Sequence, residues 1–178
     1  ELMDFYKRAF DKSKIKISQI LLTLEDTEQR RRALNARRTI DNLLSMAVLP
    51  IVNENDTTAT TEIKYGDNDR LASRVAQIIG ADCLILLSDV EGLYTDNPKK
   101  NKKTKLIKVV KEIDNNIEKY ATNSGGLYGS GGMKTKIEAA KICQLAGCYM
   151  VIANGNNINP IKKIVKKNQC TWFLPKVS

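Results

Sequence analysis

The chain has 178 residues, 42% hydrophobic and 28% charged, with 29 Lys and Arg against 20 Asp and Glu for a net charge of +9. That is enough apolar matter for one domain with a real core, which excludes a disordered chain. No apolar run nears the ~20 residues of a membrane span, no signal-peptide pattern is present, and with no histidine the commonest general base and metal ligand is missing.

Leu2, Phe5, Tyr6 and Phe10 already fall at helical spacing. The spacing predicts a helix over 1–12 and a chain that opens inside that helix, as a piece of a longer protein does. Residues 15–23 read as a strand. Asp26 or Thr27 can cap a helix running to about Met46, with Ala33, Leu34, Ala36, Ile40, Leu43 and Leu44 along one side. A strand over 48–53 follows, and Pro50 within it argues against regular pairing. The polar cluster Asn53-Glu54-Asn55-Asp56 closes that strand. After a polar loop, Gly66-Asp67-Asn68-Asp69 opens a helix to Ile79 that Gly80 stops.

The apolar run 83–87 reads as a strand covered on both faces, ending in Ser88-Asp89. Asp96-Asn97-Pro98 marks a turn, a lysine-rich loop leads to a short strand within 106–110, and Asp114 caps a short helix to Tyr120. The glycine-dense stretch 124–132 reads as a loop. A helix over 133–146 ends at Gly147, then come a strand 148–153, a helix 160–167 with Pro160 in its first turn, and a last strand 170–174. Strands alternating with helices predict an α/β fold, a three-layer α/β/α sandwich on a mainly parallel sheet. In such folds ligands collect beyond the carboxyl ends of strands, where the polar clusters lie.

Each cluster has a bland reading and a chemical one. Asn53 to Asp56 can form Asx turns that satisfy loop backbone, or grip a small polar molecule through its ammonium at Asp56. Asn68 or Asp69 can be a helix N-cap; Asn68 can also donate to a carboxylate, and Asp69 can fix neighbouring lysines and keep them charged. Ser88 and Asp89 are an ordinary polar strand end or a nucleotide contact. The turn Gly129-Ser130-Gly131-Gly132 lets backbone amides approach an anion at a helix start, and Lys134 and Lys136 in that first turn are unfavourable unless an anion is near. Lys136 can neutralise a transferring phosphoryl group. This is not a Walker A loop.

No side-chain metal site is expected. The cysteines, Cys83, Cys143, Cys148 and Cys170, form no CxxC pair and read as buried, reduced thiols of a cytoplasmic protein. The lysines spread over solvated faces, and aromatics at 6% do not interleave with them, so neither a nucleic-acid nor a membrane partner is expected.

The segments 49–56, 62–69, 86–94 and 129–136, with Gln19 to Thr23 and Leu34 to Arg37, closely resemble the glutamate 5-kinase branch of the amino acid kinase family. The likeness runs along essentially the whole chain. It implies phosphorylation of the γ-carboxylate of L-glutamate by ATP, whose magnesium rides on the nucleotide, as the first step of proline synthesis. Asp56, Asn68 and Asn53 would then bind glutamate. Ser88, Asp89, Ser130, Gly131, Gly132, Met133, Lys134, Thr135 and Lys136 would bind ATP, with Lys136 catalytic and Asp69 organising the lysines. The loop around Glu62 would sense proline, and the protein would form homo-oligomers. The family's opening strand, with its phosphate-binding lysine and glycine, and its serine-bearing glycine-rich segment do not occur in these residues; nor does the accessory PUA domain of many members. The resemblance therefore implies an incomplete kinase domain, inactive by itself. Two other readings remain at this level, a family member with a different acceptor and a non-catalytic binding or regulatory protein with this fold.

Overall fold

The computed structural model describes residues 2–55, 67–98, 100–101, 103–123, 130–167 and 169–176. The chain divides into two compact units, Glu1–Ile63 and Lys64–Ser178.

The first unit holds α1 (Leu2–Asp11), β1 (Lys16–Leu22), α2 (Leu24–Glu28), α3 (Arg30–Ser45) and β2 (Val48–Glu54). β1 and β2 pair in parallel from Lys16↔Val48 to Leu22↔Glu54. Pro50 takes a regular place opposite Ser18. Among the described residues β2 has one strand neighbour, and an edge strand tolerates the missing N–H. The single helix expected from Asp26 to Met46 is instead two, broken at Gln29, whose backbone is extended (φ −78°, ψ 116°). The cap is Thr23 rather than Asp26 or Thr27. Its Oγ1 accepts the Asp26 amide at 3.2 Å, and Asp26 Oδ2 accepts the Thr23 amide at 2.8 Å. This reciprocal capping box satisfies two amides that a helix start leaves without partners. The Thr23 backbone bond is the largest of several that hold the Asp26 carboxyl below its usual 3.8, with Arg32 adding to it. Thr27 is buried with its hydroxyl donating to Leu24 O.

The second unit holds α4 (Asp67–Ile79), β3 (Cys83–Ser88), β4 (Val109–Val110), α5 (Asn115–Asn123), α6 (Ser130–Leu145), β5 (Tyr149–Asn154), α7 (Pro160–Lys167) and β6 (Cys170–Phe173). Its sheet runs in the order β3-β5-β6-β4. β3–β5 and β4–β6 are parallel and β5–β6 antiparallel. The fold is α/β with a mainly parallel sheet, as the alternation of elements predicts.

Successive residues of a strand face opposite sides, and β5 shows what that requires here. Met150 and Ile152 join Leu86, Met133, Ile137, Ala140 and Phe173 in one core, while Val151 and Ala153 join Ile164, Cys170 and Trp172 in another. The strand buried on both faces is therefore β5 and not, as the apolar run 83–87 implies, β3. In β3, Cys83 and Leu87 are exposed. Ile85, on that same side, packs with the second core. That core, built on α7 (eight residues), leaves both ends of β3 open on this face.

α4 and α6 enter their strands through matching turns. Gly80 and Gly147 take φ of +65° and +74°. The next amides return to the helix, Ala81 N to Ala76 O and Cys148 N to Cys143 O, both at 2.9 Å. This is the left-handed glycine termination that frees a helix to reverse into a strand. Asp114 caps α5 as expected, its Oδ1 accepting the Ile117 amide at 2.9 Å.

Candidate active site

α4 and β3 are joined by three residues, 80–82, and α6 and β5 by the same number, 146–148. Each helix packs against the strand that follows it, so each helix starts near the strand's carboxyl end. α6, with 16 residues, is ~24 Å long and β5, with six, ~20 Å. The first turns of α4 and α6 therefore come level with Ser88 and Asn154, which end β3 and β5 side by side in register.

At this end, α4 and α6 are tied by charge. Lys136 Nζ lies 2.8 Å from Asp69 Oδ2, and Thr135 Oγ1 donates to the same oxygen at 3.1 Å. The Lys136 and Asp69 side chains are 13% and 19% exposed. A pair so far withdrawn from water is screened less than a surface pair, and its geometry is more strongly determined.

Helical periodicity sorts the other residues of α6. Met133, Ile137 and Ala140 are buried, so the Met133 side chain serves the core and only its backbone is free to meet a ligand. Lys134 is exposed, and Lys136 lies on the α4 side. The helix begins at Ser130, so residues 130–132 are its first turn rather than loop. Lys134 and Lys136 are its fifth and seventh residues. The electrostatic mismatch expected of lysines in the first turn does not arise, because the helix dipole acts mainly within that turn. The amides of Ser130, Gly131 and Gly132 have no acceptor within the helix. Nothing described lies within 4 Å of where a Cβ would stand at Gly132. Packing does not require glycine there, whereas an approaching phosphate would use that space.

Asp69 and the exposed Asn68 lie inside the first turn of α4, which already includes Asp67, so neither is its N-cap. Ser88 Oγ donates to Asp89 Oδ1 at 3.2 Å, and Ser88 O accepts the Gly155 amide at 2.8 Å. In the other unit Asn53 stands near the end of β2, opposite Leu21. Asp56, Glu62, Gly66 and Gly129 lie outside the described residues.

Two residues at this end escaped sequence reasoning. Asn154 donates to Glu91 Oε1 at 3.3 Å and accepts the Asn156 amide at 2.9 Å, while Gly155 passes against Leu87 Cβ. The available signal was an Asn-Gly step at the carboxyl end of β5.

The loop from β3 is fastened to the far side of the sheet. Thr171 Oγ1 accepts the Leu93 amide at 2.8 Å and donates to Ile107 O at 2.6 Å. A Cβ at Gly92 would fall 2.2 Å from that same oxygen. Among the described residues no group of three or more His, Cys, Asp or Glu could hold a metal ion. A magnesium ion carried on nucleotide phosphates needs few protein ligands. No described helix is long and apolar enough to cross a membrane.

Residues 1–154 match the amino acid kinase family. The chain is 71% identical, over all of its 178 residues, to a protein of Pelagibacter ubique named glutamate 5-kinase, of which it covers 48%. It is 53% identical over 161 residues to one of the same name from Paramagnetospirillum magneticum, covering 90% of this chain and 44% of that one. The chain thus spans about half the length of the curated relatives it matches. Among solved structures, UMP kinase from Ureaplasma parvum superposes with a TM-score of 0.64 at 13% identity, over 94% of this chain and 64% of that one.

Proposed function

Since the chain belongs to the amino acid kinase family, we propose that the protein it represents transfers the γ-phosphoryl group of ATP to the γ-carboxylate of L-glutamate. The single observation that carries the site is the Lys136–Asp69 pair at the carboxyl end of the sheet. The likeness of 71% to a glutamate 5-kinase along the entire chain supports the choice of acceptor.

The chemistry suits a chain without histidine. A carboxylate oxygen is already a nucleophile at neutral pH. It attacks the γ-phosphorus, the bond to the bridging oxygen breaks, ADP leaves, and an acyl phosphate forms without proton transfer. The obstacle is repulsion between an anionic acceptor and an anionic donor, and cationic groups placed at the transferring phosphoryl relieve it. Lys136 supplies that charge from α6, Asp69 keeps it in place, and the first-turn amides of 130–132 receive phosphate oxygens. Ser88 and Asp89 take further nucleotide contacts, with Lys134 at the outer rim. Asp56, Asn68 and Asn53 hold the ammonium and carboxylate of glutamate. Magnesium enters on the nucleotide and offsets phosphate charge. The same reading includes proline sensing near Glu62, homo-oligomers, and a cytoplasmic place in proline synthesis.

The full-length protein, given ATP, magnesium, glutamate and hydroxylamine, is expected to form ADP and γ-glutamyl hydroxamate in equal amounts. Hydroxamate from a different carboxylate only would overturn the acceptor. ADP formation indifferent to any carboxylate would overturn the reaction.

A further inference from the structure

The Thr135 hydroxyl has one proton and two acceptors, Asp69 Oδ2 at 3.1 Å and Gly132 O at 3.0 Å. In an α-helix the Gly132 carbonyl already accepts the Lys136 amide, so it is satisfied without the side chain. An ionised carboxylate is the stronger acceptor, roughly twice a neutral one. The proton therefore points at Asp69. Thr135 and Lys136 are successive residues of α6, so both bonds to Oδ2 come from one short stretch of helix onto a residue 66 positions away in α4. One bond from a long lysine leaves the carboxylate free to swing. A second, from a β-branched side chain whose χ1 is restricted, fixes it.

We propose that Thr135 is a positioning residue for phosphoryl transfer rather than a nucleotide ligand: it locks the Asp69 carboxylate, and through it sets the direction of the Lys136 ammonium. This rests on the kinase reading above. Lys136 must leave part of its hydrogen-bonding capacity for a phosphoryl group. An ammonium has three protons, and Asp69 Oδ2 takes one. With Oδ2 also held by Thr135, the carboxylate cannot follow the ammonium when it turns toward the transferring group.

The test uses the full-length protein and steady-state kinetics. Thr135→Val keeps shape and removes the hydroxyl; it is expected to lower kcat about tenfold to a hundredfold, the value of a hydrogen bond to a charged group. KM for ATP should stay within about twofold of wild type, as for an interaction that matters mainly in the transition state. Thr135→Ser should recover most of the rate. On an Asp69→Ala background the Val substitution should add less than about twofold, since its acceptor is gone. A rise in KM for ATP with kcat unchanged would make Thr135 a nucleotide ligand and overturn the proposal. A full additional loss on the Asp69→Ala background would overturn it too, as would a matching loss of thermal stability that Ser fails to restore. If wild type used another carboxylate, the acceptor would be wrong, and the same ratios measured with that carboxylate would still decide the role of Thr135.

Discussion

Lys136 is a charge with little water around it, and that decides how its substitution reads out. Lys136→Met keeps the stem that lies along the α4–α6 contact and removes the ammonium. In the full-length protein turnover is expected to fall about a hundredfold to a thousandfold, the usual loss when one charge-stabilising group is deleted. The melting temperature should move only a few degrees, because Asp69 keeps its bond from Thr135. Lys136→Arg should recover only part of the rate, since a planar fork cannot reproduce a compact ammonium in a side chain only 13% exposed. Rates equal to wild type in the Met variant would remove Lys136 from the chemistry. Lys136 and Asp69 were legible as members of polar clusters near two helix starts, although the first-turn mismatch that drew notice to Lys136 does not arise in a helix that begins at Ser130. That Asp69 holds neighbouring lysines was expected from the sequence; that the partner is Lys136, through Oδ2, depends on how α4 packs against α6 and was not legible in periodicity. Nor was the second bond from Thr135, which looks in sequence like one more member of a phosphate-facing loop.

Elements were legible where a single residue type forces the backbone. Gly80 and Gly147 stop their helices, Asp114 caps α5, and Pro160 opens α7 as expected. They were misread where several residues compete for one role. Thr23, Asp26 and Thr27 can each cap a helix, and only the extended backbone at Gln29 shows that α2 and α3 are separate. Burial was misplaced for β3, because an apolar run shows what a strand can bury and not how far its neighbours reach. Thr171 illustrates a part of the fold that local pattern omits. It ties β6 to the loop beyond Ser88-Asp89, leaving no space at Gly92. Gly92→Ala should therefore cost about 2–3 kcal/mol, typical of overpacking a rigid interior, because Thr171 cannot withdraw without losing its bonds to Leu93 and Ile107. A urea midpoint unchanged from wild type would show that the loop can move away from β6. If the variant folds, the loop that bears Ser88-Asp89 should be disturbed as well, raising KM for ATP.

At the scale of the whole molecule, stability against pH is bounded by two kinds of group. On the acid side Asp26 titrates below its usual 3.8. Its contribution is complete above that value and is lost as pH falls through the lower folded value. On the alkaline side stand the thiols. Cys143 is fully buried; burial above all, with the neighbouring Cys148, pushes its thiol from 9.0 up to about 12. Between those values the unfolded chain gives up the proton and the folded chain keeps it. Unfolding then releases protons, so stability falls as pH rises, by up to ~1.4 kcal/mol per pH unit for one group. Cys143→Ala should have a lower urea midpoint than wild type at pH 7, reflecting about 1 kcal/mol of lost packing. The variant differs from wild type in that thiol alone, so any other group acts equally in both proteins. Above about pH 10 the two midpoints should converge, because only wild type still has that proton to lose. Midpoints that stay parallel from pH 7 to pH 11 would show that the Cys143 thiol titrates alike in the folded and the unfolded chain, and the alkaline limit would then belong to other groups.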